Sequence, residues 1–208
     1  ERDFPRSDTI EAQIRFLLNY AILAPSAHKT QPWRCRINKD ALEIFFDKSR
    51  ALGISDPTYR QGFLSIGAFV GNFSLAAECF GFSLRLIWMP GSGEINDCLA
   101  RLQLVPAKDS KTKEKDEILA ALQKRHNNRF PFKMNIPIPP GEVRRLEAIG
   151  EGEDIKVFVV SNKAQLGEIA SLIKIGTEFA FTDPKFRAEL ASYIAPHVSS
   201  RRDGIPTY

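Results

Sequence analysis

Apolar positions recur at helical spacing in two long stretches of the chain. The first begins at a cap formed by Asp8 and Thr9 and ends before Pro25. The second covers residues 60–80, where leucines and small residues share one face, and Gly81 ends it. Both stretches are predicted to be core helices, and the small face of the second is predicted to serve packing more than cofactor binding.

Strands are predicted where apolar residues alternate or cluster between turn residues. Residues 33–37 and 41–46 flank the turn 38–40 and predict a hairpin. Residues 83–89 and 99–105 predict two further strands. Because helices and strands are mixed without a regular strand-helix-strand repeat, the pattern predicts an α+β fold.

A charged stretch near the middle of the chain lacks apolar residues that could anchor it. It predicts a linker at residues 108–117, between a first half, 1–107, and a second half, 118–208. After the charged stretch, helices are predicted at about 116–124, at 141–148, after Asn162 and after Pro184, with a strand at 155–160 and a turn at 203–206.

Composition narrows the class of protein. The 208 residues are 43% hydrophobic and 26% charged, which is typical of a folded domain. The net charge of +4 is scattered along the chain, so a nucleic-acid partner is not expected. Three widely spaced cysteines indicate a reducing compartment, and neither they nor the histidines have metal-site spacing. We expect no membrane-spanning segment and a cytoplasmic location.

The first candidate for chemistry is the loop that joins the first helix to the first strand. Two prolines stiffen its backbone, and its polar groups could clamp a flat ligand. The alternative is that Ser26 and Thr30 only satisfy the helix end while Trp33 belongs to the core; the pattern alone favours this slightly. The candidate ligand residues are Pro25, Ser26, Ala27, Lys29 and Gln31.

The second candidate is a polar segment directly after the helix predicted at 116–124. Arg125 and Arg129 are four residues apart, with His126 and Asn127 between them. Two guanidinium groups can bind one phosphate in bidentate fashion, and the neutral side chains can add hydrogen bonds. A solvated basic loop is the commoner role of such a segment.

Together the two segments resemble motifs of the nitroreductase superfamily. Residues 24–33, Ala-Pro-Ser-Ala-His-Lys-Thr-Gln-Pro-Trp, resemble its APSxxNxQPW loop. Residues 125–130, Arg-His-Asn-Asn-Arg-Phe, resemble its RxSxRxF phosphate element. In an ordinary family member the arginine element comes first, whereas here it follows the loop. This order resembles the internally duplicated, Acg-type branch, in which two halves of one chain take the place of a dimer.

The resemblance implies a nitroreductase-like fold, with a mostly antiparallel sheet flanked by helices and a second, partial half. It implies FMN as the cofactor and NAD(P)H as the reductant. Hydride then enters and leaves at flavin N5, so no side chain is expected to be catalytic. Quinones or nitroaromatics are the implied small-molecule acceptors, and a homodimer is an implied assembly.

Two departures from the family pattern bear on function. Lys29 stands where the family usually has Asn, and a cation beside the flavin pyrimidine would stabilise the reduced ring and raise its potential. Asn127 replaces the usual Ser or Thr. Two other functions stay open: a flavin-sequestering storage protein without reductase activity, and a fold that binds no flavin and serves as an interaction module.

Overall fold

The computed structural model of the chain comprises two compact units. Unit 1 comprises Glu1–His126 and Lys185–Tyr208, and unit 2 comprises Asn127–Pro184. The structure describes residues 4–88, 98–107, 114–128, 130, 131, 133, 136–149, 155–195 and 203–206.

Unit 1 contains a four-stranded antiparallel sheet with the strand order β1-β2-β4-β3. The predicted hairpin is confirmed, since Asn38 pairs with Ala41 across a two-residue connection. Lys39 in that connection has a left-handed backbone, with φ 57°. Strand β2 lies inside the sheet and is almost wholly buried. The strands are β1 (Trp33–Asn38), β2 (Ala41–Phe46), β3 (Phe82–Trp88) and β4 (Cys98–Pro106).

Three helices of unit 1 pack together, and the longest also packs against the sheet. The first begins as predicted, because the Thr9 hydroxyl accepts a hydrogen bond from the Ala12 N–H at 3.2 Å. The second helix is long and apolar enough to cross a membrane by length and composition alone. Buried core helices of folded domains meet the same criterion. The three helices are α1 (Ile10–Ala21), α2 (Arg60–Cys79) and α3 (Lys115–Lys124).

The core of unit 1 lies between the sheet and α2. Phe69 and Phe73 of α2 and Phe46 of β2 are each at most 2% exposed. Burying an aromatic ring of this size contributes roughly 1.5–3 kcal/mol. At Gly62 the helix and the sheet come so close that an added Cβ atom would lie 2.4 Å from the Phe46 ring.

Unit 2 contains α4 (Pro140–Ala148) and α5 (Lys163–Thr182), as predicted. The strand predicted at residues 155–160 is wrong, because these residues form no regular structure. A strand requires a neighbouring strand for its backbone hydrogen bonds, and the described part of unit 2 contains no strand that could pair with these residues.

The end of the chain returns to unit 1. Helix α6 (Pro184–Tyr193) leads into the short strand β5 (Ile194–Ala195). The predicted turn at 203–206 is present at Asp203 and Gly204, where Gly204 has φ 91°, and strand β6 (Ile205–Pro206) then pairs with β5 in parallel.

The α+β architecture is thus confirmed, with its antiparallel sheet and adjacent helices. The division of the chain into two similar halves stays a prediction. Most of the predicted linker, residues 108–113, lies outside the described residues.

We predict that Gly62→Ala lowers the free energy of unfolding by roughly 1–3 kcal/mol, since the new methyl group would overlap the buried Phe46 ring. Gly67→Ala is the matched control on the same helix. An added Cβ there meets nothing within 4 Å, so a gain of roughly 0.5–1 kcal/mol in helix propensity is expected. Urea unfolding of both variants measures the difference, and equal midpoints would contradict the packing described.

Candidate functional site

The loop of residues 25–32, here called the proline loop, has an unusual backbone. His28, Lys29 and Gln31 have positive φ values of 49°, 55° and 51°. This left-handed region is unfavourable for residues with a Cβ atom, at a cost of order 1–3 kcal/mol each. Non-glycine residues in this conformation cluster at functional sites, where surrounding contacts fix them.

Hydrogen bonds within the proline loop hold this conformation. The Ser26 carbonyl accepts from the Lys29 N–H at 3.0 Å, and the Ala27 carbonyl accepts from the Thr30 N–H at 3.0 Å. The Ser26 hydroxyl accepts from the Gln31 N–H, also at 3.0 Å. Ser26 therefore organises the loop itself and does not merely satisfy the preceding helix end.

The residues of the proline loop differ in solvent exposure: some are buried in the core, and others are accessible to a ligand. Thr30 is 3% exposed, and Pro32 is fully buried. Trp33, directly after the loop, packs against Phe69 with ring centroids 5.0 Å apart, so its predicted core role is confirmed. Of the candidate ligand residues, Pro25 and Lys29 are exposed, and Ser26, Ala27 and Gln31 are half-buried.

The arginine element begins beside the proline loop. Arg125 Nη2 donates to the Leu23 carbonyl at 3.0 Å, two residues before Pro25. His126 Nδ1 lies 3.0 Å from the Lys124 carbonyl oxygen. The first arginine of the predicted phosphate site thus contacts the end of α1, next to the loop. Of the other predicted members, Asn127 is part of unit 2 and Arg129 lies outside the described residues.

Residues near the end of the chain contact the proline loop from another side. The Gly204 N–H donates to the Lys29 carbonyl at 3.5 Å. The rings of His28 and Tyr193 lie 5.9 Å apart. Asp203 pairs with Arg50 at 3.3 Å, and Arg50 in turn donates to the Thr30 carbonyl at 3.0 Å.

Glu189 of helix α6 contacts residues 54 and 55 in another part of unit 1. Glu189 accepts hydrogen bonds from the backbone N–H groups of Ile54 and Ser55, both at 2.9 Å, and from the Ser55 hydroxyl. Burial by itself raises the pKa of Glu189, but these hydrogen bonds outweigh it and lower the pKa below its ordinary value. The charged form of Glu189 therefore stabilises the attachment of α6.

A groove of about 680 Å³ lies on the first half of α2. Gly67 in the groove and Gly71, one turn further along α2, are exposed, and among the described residues an added Cβ would meet nothing within 4 Å at either position. The packing role predicted for this small face is therefore not observed in the described part of the chain. The groove is lined by Thr58, Arg60, Phe63, Leu64, Gly67 and Ala68.

The fold of unit 1 and the proline loop together indicate a class of protein. An antiparallel sheet flanked by helices, with a stiff polar loop between the first helix and the first strand, is consistent with a nitroreductase-like fold. Over 196 residues the chain is 26% identical to a Mycobacterium tuberculosis protein named "Putative NAD(P)H nitroreductase acg", covering 93% of this chain and 56% of that protein.

Two further relatives carry similar names. "Putative NAD(P)H nitroreductase Rv3131" of the same organism is 28% identical over 146 residues, which are 70% of this chain and 40% of that protein. "Probable NAD(P)H nitroreductase PigM" of Serratia is 32% identical over 87 residues, which are 40% of this chain and 24% of that protein. No protein-family model matches the sequence.

These similarities confirm the resemblance to the nitroreductase superfamily. The chain spans about half the length of the Acg relative, 56% of it. The internal duplication is not tested by these matches and stays a prediction.

Sequence reasoning missed two residues that shape the site, Arg50 and Glu189. Asp47 and Arg50 have the spacing of a local ion pair, and this pair is present at 3.8 Å. The contact of Arg50 with Asp203 joins residues 153 positions apart, and that of Glu189 with Ser55 joins residues 134 apart. No local pattern in the sequence indicates contacts of that range.

We predict that Glu189→Gln lowers the stability of the protein by about 1 kcal/mol at neutral pH, because the amide replaces a charged acceptor of three hydrogen bonds. Since the pKa of Glu189 is lowered from 4.5, the wild-type advantage is complete above that pH and is lost as the pH falls through the folded-state value. Urea unfolding between pH 7 and about pH 3 measures this window.

The control is Glu11→Gln, which removes an exposed intrahelical ion pair. An exposed pair of this kind contributes roughly 0.3–0.5 kcal/mol, so the control should change stability less than Glu189→Gln at neutral pH. If the effect of Glu189→Gln on the free energy of unfolding did not depend on pH, the charge of the Glu189 carboxylate would not be the source of the stabilisation.

Proposed function

We propose that this chain is part of an FMN-dependent oxidoreductase of the nitroreductase type. The observation that carries the proposal is the placement of Arg125, a candidate phosphate ligand, beside the strained and polar proline loop. The names of the relatives support an NAD(P)H-linked reductase. A cytoplasmic location, a homodimer and a quinone or nitroaromatic acceptor are parts of the same proposal.

The proline loop suits the polar end of an isoalloxazine ring. Its left-handed backbone is held in place, so little conformational entropy remains to be lost when a flat ligand binds. Half-buried Ser26, Ala27 and Gln31 and exposed Lys29 offer hydroxyl, amide and ammonium groups within one short loop. Bound there, FMN would supply hydride transfer at N5, and the chain's own residues would bind and orient the ring.

The phosphate end would be held by Arg125 with His126, Asn127 and Arg129. Arg125 is exposed, and its guanidinium lies beside the Leu23 carbonyl, next to the proline loop. A fixed positive charge at this position is suitable for binding a phosphate. A guanidinium carries five N–H donors, so its bond to Leu23 does not prevent it from also binding a phosphate.

Two other functions make different predictions for the purified protein. A flavin-storage protein would be yellow and would not oxidise NAD(P)H in the presence of an acceptor. An interaction module without flavin would be colourless. We expect a protein with near-stoichiometric bound flavin that oxidises NAD(P)H with a quinone or a nitroaromatic acceptor. A colourless protein that FMN does not titrate would refute the proposal.

We predict that Arg125→Met combined with Arg129→Met weakens FMN binding, by about 1.5–3 kcal/mol for each charged hydrogen bond lost. Riboflavin, which lacks the phosphate, should bind the variant and the wild type equally well. Fluorescence titration with both flavins measures this difference, and the riboflavin arm controls for the helix end that Arg125 contacts. Undiminished FMN affinity in the double variant would show that the phosphate lies elsewhere.

We predict that Lys29→Asn lowers the midpoint potential of the bound flavin, since it removes a cation that favours the anionic reduced ring. Lys29 is exposed and forms no ion pair within the described residues, so its charge is available to a ligand. A redox titration measures the effect, with Lys39→Asn in the β1–β2 connection as a control of equal charge. An unchanged potential in Lys29→Asn would place Lys29 away from the ring.

A further inference from the structure

Arg50 stands where three parts of unit 1 meet. Its Nη1 donates to the Thr30 carbonyl at 3.0 Å and to the Asp203 carboxylate at 3.3 Å. Its Nε lies 3.8 Å from the Asp47 carboxylate. Asp47 in turn accepts from the backbone N–H and the hydroxyl of Ser49, at 3.0 and 2.7 Å. The guanidinium that donates to the loop is therefore also held by two carboxylates, Asp203 at Nη1 and Asp47 near Nε.

The Thr30 carbonyl is a sensitive place for this bond. Thr30 lies between Lys29 and Gln31, both of which have left-handed backbones, and its own side chain is buried. The carbonyl orientation at Thr30 is coupled to the backbone angles on either side of it. A charged donor that fixes this oxygen therefore also fixes the strained peptide groups that carry Lys29 and Gln31.

The planar guanidinium suits this position better than an ammonium. It offers several donors in a fixed plane, so one side chain can serve a carbonyl and two carboxylates at once. A lysine presents a single point of charge on a flexible stem and cannot reach all three acceptors in the same geometry.

We infer that Arg50 is a positioning residue for the proline loop: it holds the Thr30 carbonyl and thereby keeps Lys29 and Gln31 in the conformation that receives the ligand. The inference rests on the proposed flavin site for its functional consequence. Its structural part, that Arg50 fixes the loop, is independent of any flavin.

The structural part is tested on the protein without added flavin. We expect Arg50→Met to reduce the hydrogen-exchange protection of the Lys29, Thr30 and Gln31 amides roughly tenfold, as loss of a charged hydrogen bond implies. Amides of α2 should keep their protection. Arg50→Lys should restore part of it, and Arg15→Met, which removes an exposed ion pair on α1, should leave the loop unchanged. Wild-type protection of the three loop amides in Arg50→Met would overturn the inference.

The functional part is tested by titration with FMN and riboflavin. Since the proline loop is assigned to the ring and not to the phosphate, Arg50→Met should weaken both flavins alike, by roughly tenfold. It should also shift the visible spectrum of the bound flavin. Equal affinity and an unchanged spectrum would overturn the assignment of Arg50 to the ligand site.

The two parts fail separately. If the wild-type protein binds neither flavin, the proposed function fails, while hydrogen exchange still decides whether Arg50 fixes the loop. If the wild type binds FMN but loop protection does not depend on Arg50, the flavin site stands and the positioning role is refuted.

Discussion

The backbone of the proline loop is the constraint on which the candidate site depends. Residues with a Cβ atom do not adopt left-handed angles at His28, Lys29 and Gln31 without compensation. Part of that compensation is local, through Ser26, and part comes from Arg50, 20 residues beyond Thr30. The shape that presents Lys29 to a ligand is therefore a property of the folded unit and not of the loop sequence alone.

Close packing of the core beside the loop helps to maintain this backbone. Trp33 and Phe69 join the start of β1 to α2, and the bare backbone at Gly62 lets α2 approach Phe46 of β2. Because closely packed interiors deform little, this packing limits movement of β1, where the proline loop ends. Packing between α2 and the sheet thus supports the geometry of the site.

Arg125 illustrates how one residue can serve both fold and ligand. Its bond to Leu23 places a cation at the carbonyl end of α1, where the helix dipole favours positive charge. A cation already held at that position needs less ordering when an anion arrives. Arg125 is exposed, as the solvated basic loop would require, but its guanidinium also contacts the Leu23 carbonyl.

The sequence predicted most of unit 1 because its elements carry local signals. Caps, turns and apolar periodicity indicate α1, α2 and the hairpin, and each signal lies within the element that it specifies. The left-handed angles of the proline loop and the contacts of Arg50 carry no such signal. The angles are held partly within the loop and partly by the long-range contacts of Arg50 with Thr30 and Asp203, and for these the sequence offers only a resemblance to a family motif.

The wrong prediction of a strand at residues 155–160 also shows that local sequence patterns do not reveal tertiary contacts. Its apolar pattern resembles that of β1 or β2, but those strands exist because each has a partner for its hydrogen bonds. Helix α5 is as long as α2, 20 residues each, yet α5 has no buried residue while α2 has a buried face. A helix this apolar requires cover, as α2 receives from its sheet. In physical terms, a second half equivalent to the first requires a sheet on which α5 can pack, and within the described residues only unit 1 contains one.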